Sequence, residues 1–342
     1  MSKWNELVKS FENWDVYYLF EYAHSFYLHG DGEPLLISYQ DQESRFCYVV
    51  MKSDIADCPL FKGILEKGKC YDFSTPYGYG GPLSDGKITT NSQLKFKAEI
   101  IEYARENNIV SQFVRFHPLL NNFDLLNEVI ETRYMRDTIY IDTSDSQLIM
   151  DNMDSKNRNM VRKAIKSGVE IVVKDITKYG EFIDMYEETM KNNDADDYYI
   201  FKEEYFKDLV SLKDNACIFY AMLDGKPISA SIMYYNEKFM HYHLSGTHFE
   251  YRKYSPGNLL LYQAGVWASK RGISAFHLGG GMSPDDSLFG FKKQFNKNGR
   301  LPFYIGRTIF DEKAKEELLN YRKKADQNFD KENGFMISYR KP

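Results

Sequence analysis

Near its C-terminal end the chain sets a lysine among aromatics, Phe291-Lys292-Lys293-Gln294-Phe295. A cation held at the edge of an apolar pocket stabilises the oxyanion that develops when an amine attacks an ester or thioester carbonyl. From residue chemistry alone, the plainer alternative is a surface lysine beside core phenylalanines. Just upstream, His277-Leu278-Gly279-Gly280-Gly281 ends an apolar run with three glycines, as suits backbone that must bend sharply or approach a ligand closely. The spacing is not Gly-x-Gly-x-x-Gly, so a dinucleotide site is not supported.

Other groups invite chemistry more weakly. His241 and His243 stand two apart in an apolar run, which puts both rings on one face of a strand. They could line a cleft or sit satisfied and half-buried. No surrounding His/Cys/Asp spacing completes a metal site, so no metal is expected. Arg158, Arg162 and Lys166 follow i, i+4, i+8 spacing and so present three cations on one helix face. Either a phosphate-bearing partner relieves their repulsion or the face is a solvated one balanced by acidic neighbours. Ser255, Gly257 and Asn258 precede or open a helix whose first N–H groups could hold a phosphate or carboxylate. Many helices that begin with Ser-Pro bind nothing.

These residues need elements to position them. Apolar strands are expected over Pro34 to Tyr39 and Arg45 to Met51, forming a hairpin. A Gly- and Pro-rich aromatic wall follows from Tyr71 to Pro82, then a helix over about Ser92 to Asn107 and a strand from Ile109 to Phe116. The order returns later. Strands at Cys217 to Leu223, Ile228 to Tyr235 and Phe239 to Ser245 precede a helix from Gly257 or Asn258 to Lys270, ended by Gly272, and the strand Ser274 to Leu278. This recurrence points to a pair of related domains rather than a solenoid. The acidic stretch Asp142 to Asp154 is the expected boundary, giving domains of 1–145 and 146–342. The segment Ser155 to Gly168 is expected to be helical, capped by Asp154 or Ser155, with Val161, Ala164, Ile165 and Gly168 facing inward.

The chain of 342 residues is long enough for two domains, each with its own core. Its net charge of −5 excludes a chain that binds nucleic acid through overall charge, leaving only a local basic patch. Cys47, Cys58, Cys70 and Cys217 form neither a Cys-x-x-Cys pair nor a compact disulfide framework, and read as reduced thiols in a cytoplasm. No apolar run approaches the roughly 20 residues that span a bilayer, so any membrane contact is expected to be peripheral. There is no Gly-x-Ser-x-Gly elbow, P-loop or His-Glu-x-x-His helix.

Five stretches together carry a resemblance: Asp15 to Tyr18, Thr75 to Pro82, Arg115 to Leu120, the basic helix Asn157 to Gly168, and the run from His243-Leu244-Ser245-Gly246 through Gly281 to Phe295. In order and spacing they resemble the Fem family of peptidoglycan aminoacyltransferases and its GNAT-fold relatives, over most of the chain. The resemblance implies an α+β fold of two tandem GNAT-like domains facing each other across a cleft, without the long inserted helical arm of some members. It implies transfer without a covalent enzyme intermediate, with Lys292 neutralising charge on the carbonyl and Phe291 shaping the same pocket. Tyr77 or Tyr79, together with His241 and His243, match acceptor-contacting positions. Asp85 approximates a carboxylate near the acceptor; it or a histidine could take the amine's proton, or the substrate could do so itself.

The expected activity is transfer of an aminoacyl group from aminoacyl-tRNA to an amine acceptor such as a peptidoglycan precursor stem peptide. The donor is a cosubstrate, and no other cofactor is expected. Aminoacyl-tRNA would use the Arg158, Arg162 and Lys166 face; an acyl-CoA donor would instead place its pyrophosphate at Ser255 to Asn258. A non-catalytic binding module on the same fold is the third reading.

Overall fold

The computed structural model describes residues 3–342. The chain forms two compact units, Met1–Met135 with Phe303–Pro342, and Arg136–Pro302.

The first unit opens with helices α1 (Lys3–Lys9) and α2 (Phe20–His29), the latter ended by left-handed Gly30. A hairpin of β1 (Glu33–Gln40) and β2 (Ser44–Asp54) follows, in the register Leu35 opposite Val50. The hairpin arises because Asp41 accepts from the N–H groups of Glu43 and Ser44, closing the turn between two apolar runs. Then come β3 (Tyr71–Ser74), β4 (Leu83–Gly86), α3 (Thr90–Glu106) and β5 (Ile109–Arg115). β3 and β4 each pair antiparallel with β2, and β5 lies parallel to β3 across the α3 crossover. Phe96, Ile100 and Ala104 of α3 pack on Phe46, Tyr48 and Phe73, each fully or almost fully buried. Such side chains contribute about 1.5–3 kcal/mol apiece when taken out of water.

The second unit begins within β6 (Glu131–Asp142), followed by α4 (Ser146–Asn152), α5 (Ser155–Lys166), β7 (Glu170–Asp175), α6 (Gly180–Asn192) and α7 (Glu203–Leu209). Next are β8 (Ala216–Leu223), β9 (Lys226–Tyr235), β10 (Phe239–Thr247), α8 (Pro256–Ser269), β11 (Ala275–Gly279) and α9 (Ser287–Lys293). The β8–β9 hairpin turns on Asp224 and Gly225, both left-handed, as a two-residue turn demands. Strand order is β6-β11-β10-β9-β8-β7, with β10 and β11 parallel across α8 and the other neighbours antiparallel. One sheet face carries α4, α5, α8 and α9 around Ile149, Val161, Leu260, Phe276 and Phe295. Phe182 and Tyr186 of α6, Phe201 just before α7, and Tyr205 and Phe206 of α7 form a separate group of aromatic rings in stacked and edge-on contact.

The chain then returns to the first unit through β12 (Arg300–Ile309) and α10 (Glu312–Ala325). β12 pairs antiparallel with β5, and Leu318 and Leu319 of α10 pack with Val110, Ile337 and Tyr339. The division into 1–145 and 146–342 therefore needs correcting. The units part inside β6, and the last forty residues complete the first core, because the apolar side of β5 needs α10 and the C-terminal segment to cover it. The stretch expected as a boundary linker instead holds α4, with Ile149 fully buried. Each unit repeats the motif of hairpin, further strand, crossover helix and parallel strand. Among the described residues, no helix exceeds the 17 residues of α3, and none is long and apolar enough to cross a membrane.

Candidate active site

In the second unit, Lys292 is not a surface lysine. α9 begins where Asp286 caps it, accepting from Phe289 N–H at 2.8 Å, and the short helix carries Phe289 and Lys292 inward. Lys292 is only 7% exposed, and its Nζ donates to the carbonyl of Gly280 at 2.7 Å. The Tyr242 ring lies 5.7 Å away. Burial pulls the ammonium down from its ordinary value to about 8, while the Asp286 carboxylate acts in the opposite direction. Phe291 packs edge-on against Phe295 at 5.3 Å.

The three glycines have separate reasons to be there. Gly279 is left-handed. A Cβ on Gly280 would lie 3.1 Å from the Asp137 carbonyl, and one on Gly281 only 2.1 Å from Asp286 Oδ1. The turn at the end of β11 is thus pressed between β6 and the cap of α9.

His241 and His243 do share one side of β10, as their spacing requires. Tyr242 points the other way, into the cluster around α8 and α9 where Lys292 lies. The two imidazoles therefore stand on the sheet face opposite Lys292. His243 Nε2 is 2.6 Å from the Tyr205 hydroxyl of α7, and its ring lies 4.4 Å from that of Tyr234. Burial, helped by His241, depresses His243 to about 3, so it is neutral at ordinary pH. His241 is buried at 5.9 Å from the His277 ring, and His277 Nε2 is 2.9 Å from Thr138 Oγ1.

The basic helix departs from its expected form. Arg158 turns back and donates to the carbonyls of Met150 and Met153 at the C-terminal end of α4. Only Arg162 and Lys166 of the expected trio stay exposed. Ile165, expected inward, is 54% exposed and lines a surface groove with Val173, Phe219 and Trp267 that shares no residue with the Lys292 site. Asn157 takes an inward position instead. Its Oδ1 accepts from Asn258 Nδ2 at 2.6 Å, joining the first turns of α5 and α8. Its own Nδ2 is buried and, among the described residues, has no acceptor. Ser255 is left-handed, with its hydroxyl directed at Met160 Sδ, so no side chain caps α8, and the space beside Gly257 is open.

In the first unit, Tyr77 and Tyr79 are half-buried on the aromatic loop. Arg115 holds that loop by donating from Nε to the Gly78 carbonyl at 2.8 Å, its guanidinium 5.9 Å from each tyrosine ring. Asn122 Nδ2 donates to the carbonyls of Gly80 and Pro82 at 2.9 and 3.0 Å. Asp15 and His117, both fully buried, approach to 3.5 Å beneath it. Asp85 on β4 is held by Arg45, with bonds of 3.1 Å from Nε and 2.7 Å from Nη2. Arg45 also donates to the Ser10 carbonyl and lies over the Phe11 ring, so the pair fastens β2 and β4 to the N-terminal segment.

The sequence reading passed over Tyr242, Asn157, Asp286 and Arg136. Asp286 alone carried a legible signal, an Asp three residues before a buried Phe in the manner of an N-cap.

The acetyltransferase (GNAT) domain family model matches residues 155–293, so the second unit carries an acyltransferase domain. Among solved structures, FemX shares the fold with a TM-score of 0.67 at 14% identity, over 90% of this chain and 95% of that one. L-PGS from Bacillus licheniformis gives 0.56 at 13% identity, over 94% and 95% of the two chains. The C-terminal domain of a candidate lysylphosphatidylglycerol synthetase from Agrobacterium fabrum gives 0.53 at 12%, over 82% and 85%. No curated protein matches the sequence. The fold is thus that of two GNAT-like domains, shared with FemX.

Proposed function

We propose that this acyltransferase moves an aminoacyl group from aminoacyl-tRNA to an amine acceptor such as the stem peptide of a peptidoglycan precursor. The observation that carries the reading is Lys292, a buried ammonium seated on the glycine turn at the end of β11 in the matched domain. The acceptor nitrogen attacks the ester carbonyl, forming a C–N bond. Negative charge gathers on the carbonyl oxygen, and a cation in a water-poor site stabilises it far more than one in bulk solvent would. As the tetrahedral species collapses, the C–O bond breaks and the departing ribose oxygen takes the proton released by the amine. The exposed Arg162 and Lys166 offer charge to the tRNA backbone. The half-buried Tyr77 and Tyr79 offer apolar faces with polar tips to an acceptor.

An acyl-CoA donor is the second reading, favoured by one observation. The uncapped start of α8, with open space at Gly257 and the buried Asn157 amide behind Asn258, supplies N–H donors suited to a pyrophosphate. Single-turnover transfer from labelled aminoacyl-tRNA and from labelled acyl-CoA to a muropeptide amine distinguishes the two. Label should move from the charged tRNA and stop in Lys292→Met. Transfer from acyl-CoA alone overturns the tRNA reading, and turnover retained in Lys292→Met overturns the role of the lysine.

A further inference from the structure

The turn that seats Lys292 is held from two sides. On one, the Asp286 carboxylate accepts from the N–H groups of Met282 at 2.6 Å, Ser283 at 2.8 Å and Phe289 at 2.8 Å. On the other, Arg136 of β6 donates from Nη1 to the carbonyl of Gly281 at 2.7 Å and to that of Met282 at 2.5 Å. Lys292 itself occupies the preceding carbonyl, that of Gly280. Successive carbonyls of one tight turn therefore all point at cations. The Gly281 carbonyl is part-buried and that of Met282 lies at an exposed position, and a planar guanidinium can serve both at once in fixed geometry.

Nothing on its own strand explains where Arg136 points. The adjacent carboxylate, Asp137, is taken by Arg300 at 2.7 Å. Arg136 Nε is buried and has no acceptor among the described residues. Such a group costs stability unless its placement gains elsewhere. The gain visible here is the pair of turn carbonyls.

We propose that Arg136 is a positioning residue for acyl transfer: by holding the carbonyls of Gly281 and Met282 it fixes the Gly280 carbonyl, and with it the direction in which Lys292 presents its remaining N–H bonds. The role rests on the reading of Lys292 as the oxyanion donor. The groups facing Lys292 are the Asp286 carboxylate from the cap of α9, the Tyr242 ring from β10 and the glycine turn braced by Arg136. With Arg136 gone, Asp286 alone holds the turn, water reaches the ammonium, and both its orientation and its desolvation are lost.

The test follows the Lys292 side chain directly, by heteronuclear NMR titration of the labelled full-length protein, alongside steady-state kinetics. Arg136→Met should raise the Lys292 midpoint from its burial-lowered position by about one pH unit, since re-solvation favours the charged form. It should lower kcat by about tenfold or more while KM changes less than about threefold, as expected when a reacting geometry rather than binding is lost. Arg136→Lys, which keeps a cationic donor for the carbonyls, should recover most of both effects. An unmoved midpoint in folded Arg136→Met overturns the proposal. If that variant does not fold, Arg136→Gln carries the same test with the same criteria. Loss of turnover in Lys292→Met with an unmoved midpoint in Arg136→Met removes the role of Arg136 alone. Retained turnover in Lys292→Met removes the reading of Lys292, and the role of Arg136 with it.

Discussion

Lys292 Nζ donates a 2.7 Å hydrogen bond to the carbonyl oxygen of Gly280, twelve residues earlier in the chain. The bond closes a loop that begins at the end of β11 and ends on the inner face of α9. It places a positive charge where water is nearly absent, which is costly to the fold and useful to a reaction that builds up negative charge.

That cost makes a prediction in which activity and stability move in opposite directions. The folded state binds the Lys292 proton less tightly than the unfolded chain, with a midpoint of about 8 against an ordinary 10.5. Wild-type stability is therefore penalised below pH 8, and the penalty disappears as pH rises through 8 to about 10.5, where the unfolded chain also loses the proton. Lys292→Met, of similar shape and without charge, should melt a few degrees higher than wild type at pH 7 while losing turnover. Melting curves across pH 7 to 10.5 should show the gap closing. A variant that melts lower at pH 7 would mean that the bond to Gly280 outweighs the desolvation.

His243 works with the same sign at acidic pH. Its folded-state midpoint lies near 3, well under the ordinary 6.5 of an unfolded histidine. Its contribution to stability is complete above about pH 6.5 and is lost as the pH falls toward 3, because the unfolded chain takes up the proton first. Denaturant midpoints measured from pH 7 to pH 4 should fall steeply for wild type and less steeply for His243→Gln, which stays neutral throughout. Parallel slopes would place the acid sensitivity elsewhere.

Asp85 can be separated from catalysis by its partner. The Arg45–Asp85 pair is about one-third exposed on both sides, so breaking it should cost about 1 kcal/mol or less. Asp85→Asn should lower the melting temperature slightly and leave kcat within a few-fold of wild type, and Arg45→Met should behave alike. A fall of about a hundredfold in kcat for Asp85→Asn, absent in Arg45→Met, would instead identify Asp85 as a general base.

Much of the architecture was legible because it is local. Two apolar runs, Cys217 to Leu223 and Ile228 to Tyr235, flank Asp224-Gly225, and the hairpin turns where those residues put it. Helix punctuation at Ser255-Pro256 and Gly272 likewise bounds α8. The spacing of His241 and His243 was enough to put them on one face.

What the pattern could not carry was which face meets what. The basic spacing of Arg158, Arg162 and Lys166 is real, yet Arg158 is drawn away to carbonyls at the end of α4, itself unanticipated. The assignment of residues 303–342 to the first unit depends on β12 pairing with β5, a contact nearly two hundred residues long in sequence.

The same division runs through the site. Composition and order along the chain determined that a lysine, flanked by phenylalanines, follows a glycine-ended strand. Only the tertiary structure decided that this lysine is buried, that its ammonium rests on Gly280, and that Arg136 and Asp286 brace the turn from opposite sides. Hydrogen bonding and desolvation depend on which atoms surround a group in space, and those atoms come from β6, β10 and α9, far apart in the sequence.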